Sequence, residues 1–469
     1  MSSSPFDWSA AEIEAAYKAF SNAIGPWWEN LSTLNPSGLA HDPATHGVRP
    51  EVNIYSDNRP PENGLDLAVL IQSVIKDLGS DSQVVGHPHY LAYVAGAANP
   101  VAPIGQALSM MLNPYTGTFA TAPRAVQLED QTIRWLMTMM NWPDAGTGLL
   151  TTGSSLAIFS AVLAAREARV APQGKRRVYV SDQAHHCFGK ALFGAGFLPE
   201  ETIVIPSDKG RLNPERAREA IRRDKSSGLT PVMLVGTAGT TNLGRVDPLD
   251  DLADICRDED LWFHVDGAYG GFFKLLGEAT VLKGLERGDS LSLDPHKAFS
   301  MPYGTGALLV RDVKSITWPR GLNASYMPPF SSDHMRLEYS DITPELSRDF
   351  RGLRLWLSIK HFGLEIFRQH LLAKWKQARY LAERFKETGK IELVSDPDLS
   401  LFAWKLKNDL DGNRSRRLFQ AINSSGHFFV TACEWEKTFV IRTCILGFRT
   451  EMSDLDEFVK LILTLEAKV

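Results

Sequence analysis

Between residues 126 and 312, short apolar runs alternate with segments of helical spacing, and polar clusters stand just past the apolar runs. "VQLEDQTIRWLMTMM" carries apolar residues at helical intervals. "GLLTTGSSLAIFSAVLAAREARV" reads as strand, Gly-Ser turn and helix. "RRVYVSDQAHHCFGKA" and "TPVMLVGTAGTTNLGRVDPL" each open with a strand, and "LADICRDEDLWFHVDGAYGG" is helix, strand and loop. "SLSLDPHK" and "GALLVRD" add two more strands. Such alternation predicts an α/β sheet, mostly parallel, with helices on both faces. Ligands of these sheets sit at the carboxyl ends of the strands, where the polar clusters fall.

A chain of 469 residues is too long for one simple core. Three segments are expected. Residues 1–90 read as a helical, then extended segment that packs on a partner subunit. Residues 91–364 form a large ligand-binding domain, and residues 365–469 a small α+β domain. "HDPATHGVRPEVNIYSDNRPPENG", rich in Pro, Asn and Asp, reads as irregular. A net charge of -5 gives no basic footprint for nucleic acid. No window has the apolar length of a membrane span, and the N-terminus lacks a signal-peptide pattern. The four cysteines form no CxxC pair, which fits free thiols in a reducing, cytoplasmic setting.

Four clusters could carry chemistry. Gly153-Ser154-Ser155 opens a helix after a strand, so free amides, the helix dipole and two hydroxyls make an anion site; a plain N-cap looks the same. It matches neither G-x-x-x-x-G-K-[ST] nor G-x-G-x-x-G, which disfavours a P-loop and a nicotinamide dehydrogenase. Asp266 ends a strand, where a carboxylate seeks a metal, an arginine or a protonated ring nitrogen, or caps the next loop. His185, His186 and Cys187 are adjacent and cannot all face one ion, so no metal site is expected; "GHPHYLAY" fails the same way. His185 is read as a flat ring stacked on a flat ligand, or as a structural histidine. Lys297 is either a strand-end surface lysine or an amine whose pKa is lowered by its site to form a Schiff base. Together, an anion cradle, a carboxylate, an imidazole and an amine meet the needs of pyridoxal 5'-phosphate.

"HPHYLAY", "GSSLA", "SDQAH", "GTAGTTN", "HVDGAYGG", "DPHK" and "FVIRTCILGFRT" follow one another across roughly residues 80–450. On these motifs the chain resembles the group II pyridoxal-phosphate-dependent amino-acid decarboxylases, the family of aromatic-L-amino-acid and glutamate decarboxylases. The resemblance implies the aminotransferase-like fold type I and a homodimer with shared active sites. It implies that Lys297 carries the cofactor, Asp266 pairs with its ring nitrogen and His185 stacks on its ring. Ser154 and Ser155 would hold the phosphate with His296 beside it, while Thr241 and Ala268 line the cofactor. Tyr93 would border the substrate, and Arg442 would lie near its entrance. Tyr339 in "RLEYSDITPELSRDF" would be a loop tyrosine that returns a proton to the substrate carbon. The implied reaction is decarboxylation of an L-amino acid to amine and CO2, an aromatic amino acid being one candidate. Aldehyde synthesis or another fold-type-I reaction is the alternative. Val85, Val94 and Gly117 stand where the aromatic decarboxylases carry rings, so a larger or less aromatic pocket is expected. Gly267 stands where alanine is usual and reads as tolerance beside the ring.

Overall fold

A computed structural model describes residues 8–38, 42, 60–279, 281–317 and 338–468. Most of the irregular stretch before residue 60, and the segment just ahead of Tyr339, lie outside them. The chain divides into two compact units. The larger is Tyr93–Trp404 with Cys444–Leu446, and the smaller is Met1–Ala92, Lys405–Thr443 and Gly447–Val469.

The larger unit is built on nine strands in its first two-thirds. They are β1 (Thr147–Thr151), β2 (Arg176–Ser181), β3 (Thr202–Ile205), β4 (Ser207–Asp208), β5 (Arg211–Leu212), β6 (Thr230–Thr237), β7 (Trp262–Asp266), β8 (Ser290–Leu293) and β9 (Gly306–Val310). β4 and β5 form a short hairpin; the other seven make one sheet in the order β1-β9-β8-β7-β6-β2-β3. β9 runs antiparallel to both its neighbours, and the pairs from β8 to β3 are parallel. The mostly parallel α/β sheet expected from the alternation is therefore present. β7 and β8 are buried at every residue, as strands covered on both faces must be. Side chains leave each strand alternately to two cores. On β9, Ala307 and Leu309 join one cluster, while Leu308 and Val310 join the other.

The unit boundaries differ from those expected. The helix Leu364–Glu387 goes with the larger unit, because Phe367 stacks on Phe299 at 4.2 Å and Leu371 joins the same core. Residues before Ala92 share a unit with the C-terminal segments. Leu91 donates its amide to the Phe429 carbonyl at 2.9 Å, and the His89 ring stacks on Phe428 at 4.0 Å. In that unit the helix Ala10–Glu29 is started by a Ser9–Glu12 capping box, and Thr431–Trp435 pairs antiparallel with the strand that carries Arg442.

Candidate active site

A cavity of about 450 Å³ opens in the larger unit at the carboxyl ends of the sheet. Its lining includes residues that end or directly follow strands: Thr152 after β1, Thr237 on β6, Asp266 on β7 and Asp294 after β8. Ser154, Ser155, His185, Thr241, Ala268, His296 and Lys297 join them, so eight of the eleven residues singled out in the sequence line one space.

The cradle begins at β1. Thr151 ends the strand, Gly153 precedes the helix Ser154–Ala168, and the turn lies directly on β9. A Cβ on Gly306 would stand 2.4 Å from the Cα of Gly153, so backbone meets backbone there. The Ser154 amide donates to Oδ1 of Asp294 at 2.7 Å. Among the described residues, the buried hydroxyls of Ser154 and of Thr237 have no hydrogen-bond partner. An orphaned donor at a helix start, as Ser154 is, is what an incoming phosphate would satisfy.

Lys297 follows β8. Its carbonyl oxygen would lie 1.9 Å from a Cβ at Gly96, so only glycine lets the two segments meet. Nζ sits 2.9 Å from Oδ2 of Asp294. Burial pulls the ammonium's pKa down, but the Asp294 and Asp266 carboxylates outweigh it, and the net shift is upward. Of the two readings of Lys297, the amine with a lowered pKa expects the reverse. Two carboxylates share the site, and one of them, Asp294, had been given no role.

Asp266 is buried, and its two protein donors, the Ala268 amide at 3.1 Å and the Ser292 hydroxyl at 3.2 Å, both reach Oδ1. Oδ2 is left for a ligand. Gly267 answers packing rather than tolerance, since a Cβ there would press on Leu291 at 2.7 Å. Nδ1 of His185 accepts from the Cys187 amide at 3.3 Å. Burial lowers the His185 pKa against the pull of Asp266, so the ring is neutral near pH 7, with its proton on Nε2. His296 donates Nδ1–H to the Thr305 carbonyl at 2.9 Å, and burial lowers its pKa as well. Cys187 also lines the cavity, and burial pushes its thiol up to about 12, so it is protonated near pH 7. Among the described residues no group of three or more metal-ligating side chains is present.

Three expected residues are not brought to this cavity. Tyr93 lies in the larger unit, part-exposed, with a left-handed φ of 51°. Arg442 belongs to the smaller unit, where it is buried and donates to Thr431 Oγ1 at 3.0 Å. Tyr339, expected to return a proton to the substrate carbon, is not in the lining either. It is 1% exposed, packed in the cluster with Leu149 and Ala157, with the Arg348 guanidinium 4.6 Å over its ring. Arg348 itself is held by Glu129, with both side chains fully buried. Of the positions expected to replace rings, Val94 lines the cavity.

The cavity fits a phosphate-bearing aromatic aldehyde: an orphaned hydroxyl at a helix start, a carboxylate with one open oxygen, a flat neutral imidazole and a primary amine. Comparison with known proteins agrees. The pyridoxal-dependent decarboxylase conserved domain matches residues 50–407. An aromatic-L-amino-acid decarboxylase of Bacillus atrophaeus is 31% identical over 420 residues, 87% of each chain. A phenylacetaldehyde synthase of Arabidopsis thaliana is 30% identical over 396 residues, 80% of this chain and 81% of that one. The crystal structure of Oryza sativa TDC with PLP and tryptamine superposes with a TM-score of 0.91 at 23% identity, covering 100% of this chain and 99% of that one.

Proposed function

The chain belongs to the pyridoxal-dependent decarboxylase family and is a pyridoxal-phosphate-dependent carboxy-lyase; on that premise we propose that it converts an aromatic L-amino acid to its amine and CO2. The observation that carries the proposal is the convergence of Lys297, Asp266, His185 and the unsatisfied Ser154 hydroxyl on one cavity. The aromatic substrate rests on the relatives' names.

In this reading Ser154, Ser155 and the helix amides hold the phosphate, with His296 beside it. Asp266 keeps a proton at the ring nitrogen, His185 lays its neutral face on the ring, and Thr241 and Ala268 fill the remaining wall. When bound, the cofactor supplies a ring that accepts the electron pair left as CO2 departs. Lys297 must lose a proton before its amine can attach, and the Asp294 carboxylate at 2.9 Å holds that proton in place. The proton returned to the substrate carbon then comes from a group in the cavity, and the Lys297 ammonium and His185 Nε2–H are its own carriers. Tyr93 and Arg442 remain proposed substrate contacts on the strength of resemblance alone.

We also propose a cytoplasmic homodimer with shared active sites. The helix Val101–Leu112 leaves Ile104, Leu108, Met111 and Leu112 exposed, an apolar face suited to a second copy. The four cysteines are free thiols, and among the described residues no helix is long and apolar enough to cross a membrane. Aldehyde synthesis is the second reading, favoured by relatives of that activity at 30% and 28% identity.

The test is incubation with phenylalanine, tyrosine, tryptophan and glutamate, scoring CO2 and amine against aldehyde, ammonia and peroxide. Amine with CO2 supports the first reading and aldehyde with peroxide the second. No CO2 from any aromatic amino acid refutes the aromatic substrate.

A further inference from the structure

Behind Asp266 runs a line of buried polar side chains that the reaction does not touch. Residues 262, 264 and 266 alternate on β7, and 290 and 292 alternate on β8, so each set shares a face. The parallel register places His264 beside Ser290 and Asp266 beside Ser292. Trp262 Nε1 lies 2.8 Å from Ser290 Oγ, and Ser290 Oγ 2.8 Å from His264 Nδ1. His264 Nε2 lies 3.4 Å from Ser292 Oγ, which lies 3.2 Å from Asp266 Oδ1. His264, Ser290 and Ser292 are each 0% exposed.

The two ends fix the direction of every link. An indole N–H only donates, and a carboxylate only accepts. Ser292 must therefore give its proton to Asp266 and accept from His264 Nε2–H. With its proton on Nε2, His264 accepts at Nδ1, and the proton it accepts is that of Ser290. Ser290 in turn accepts from Trp262. No link can be reversed without leaving a hydroxyl proton without an acceptor within this fully buried line. Burial lowers the His264 pKa to about 3, so the ring stays neutral and keeps one donor and one acceptor.

We propose that Trp262, Ser290, His264 and Ser292 are positioning residues forming a one-way hydrogen-bond chain that holds Oδ1 of Asp266 and reserves Oδ2 for the cofactor's ring nitrogen. This rests on the reading of Asp266 given above. A donor on Oδ1 keeps negative charge on the carboxylate and leaves the shared proton on the ring. Take that donor away and the proton moves toward Asp266, so the ring accepts electrons less well. The chain thus tunes the reaction from the far end of the strand.

Two measurements decide it. In the unsubstituted enzyme labelled with ¹⁵N-histidine, long-range proton–nitrogen spectra should show His264 neutral and protonated on Nε2; a proton on Nδ1 overturns the proposal without any variant. In enzyme loaded with cofactor labelled ¹⁵N at the ring, Ser292→Ala should move that resonance toward the unprotonated value. It should also weaken cofactor affinity about tenfold, the worth of a hydrogen bond to a charged group, with Ser292→Thr restoring both. An unchanged resonance and affinity in folded Ser292→Ala overturn the chain while leaving the cavity's function intact. If unsubstituted enzyme takes up no cofactor on Lys297, the functional reading fails instead, and the His264 tautomer still decides whether the chain exists.

Discussion

Asp294 grips Lys297 and the start of the cavity helix at once, one oxygen 2.9 Å from Nζ and the other 2.7 Å from the Ser154 amide. It is an internal anion in the place where an external one is expected. Asp294→Asn removes that charge, so the Lys297 pKa falls and more of the amine is neutral at a given pH. Cofactor attachment near pH 7 should speed up, about tenfold for each unit of pKa lost. Inorganic phosphate should also bind more tightly. Stopped-flow absorbance and phosphate competition would show both, and slower attachment would mean that Asp294 is needed as the proton acceptor.

Lys297→Ala should abolish turnover and leave no site for borohydride to fix the cofactor on the chain. Mass spectrometry of the reduced, digested protein reads this directly. A pyridoxyl group mapped elsewhere in the unsubstituted protein would remove Lys297 from its role.

Tyr339→Phe should leave the ratio of amine to aldehyde unchanged. The substitution deletes a buried hydroxyl that has no partner among the described residues and keeps the ring under Arg348. Stability should change by less than about 1 kcal/mol or rise, since an unsatisfied hydroxyl is costly to bury. A product mixture shifted toward aldehyde would return the tyrosine to the reaction.

Acid should weaken the fold through histidines held neutral. Burial depresses His87 from 6.5 to about 4, with His89 adding to the effect, and burial depresses His370 to about 3. Nδ1 of His87 accepts from the His89 amide at 3.0 Å, a bond that protonation breaks. A depressed folded-state pKa means stability that is complete above about 6.5 and is lost as pH falls through the folded value. His87 alone should cost up to about 3 kcal/mol by pH 4, read as a falling urea midpoint that His87→Gln flattens. A midpoint constant from pH 7 to 4 would contradict this.

The sheet and most of the cavity were legible because a two-residue period and polar residues at strand ends are local signals. Asp294 stood in the quoted "DPHK" run, but its reach depends on a turn in which the Lys297 amide bonds back to the Asp294 carbonyl at 2.9 Å. The Trp262-to-Asp266 chain was hidden for a different reason. It exists only through the register of β7 on β8, which no single segment encodes. The burial of Tyr339 was not legible, because a tyrosine reads alike whether its ring faces a cavity or a core. The long helix Leu364–Glu387 shows an apolar stripe in sequence without saying which core will cover it.

The contact of Gly306 on Gly153 has a mechanical consequence. With no side chain between strand and turn, the floor of the anion pocket is part of the sheet itself and cannot sink or rise on its own. Its depth is set when the protein folds, and any closing over a bound molecule must be done by the walls.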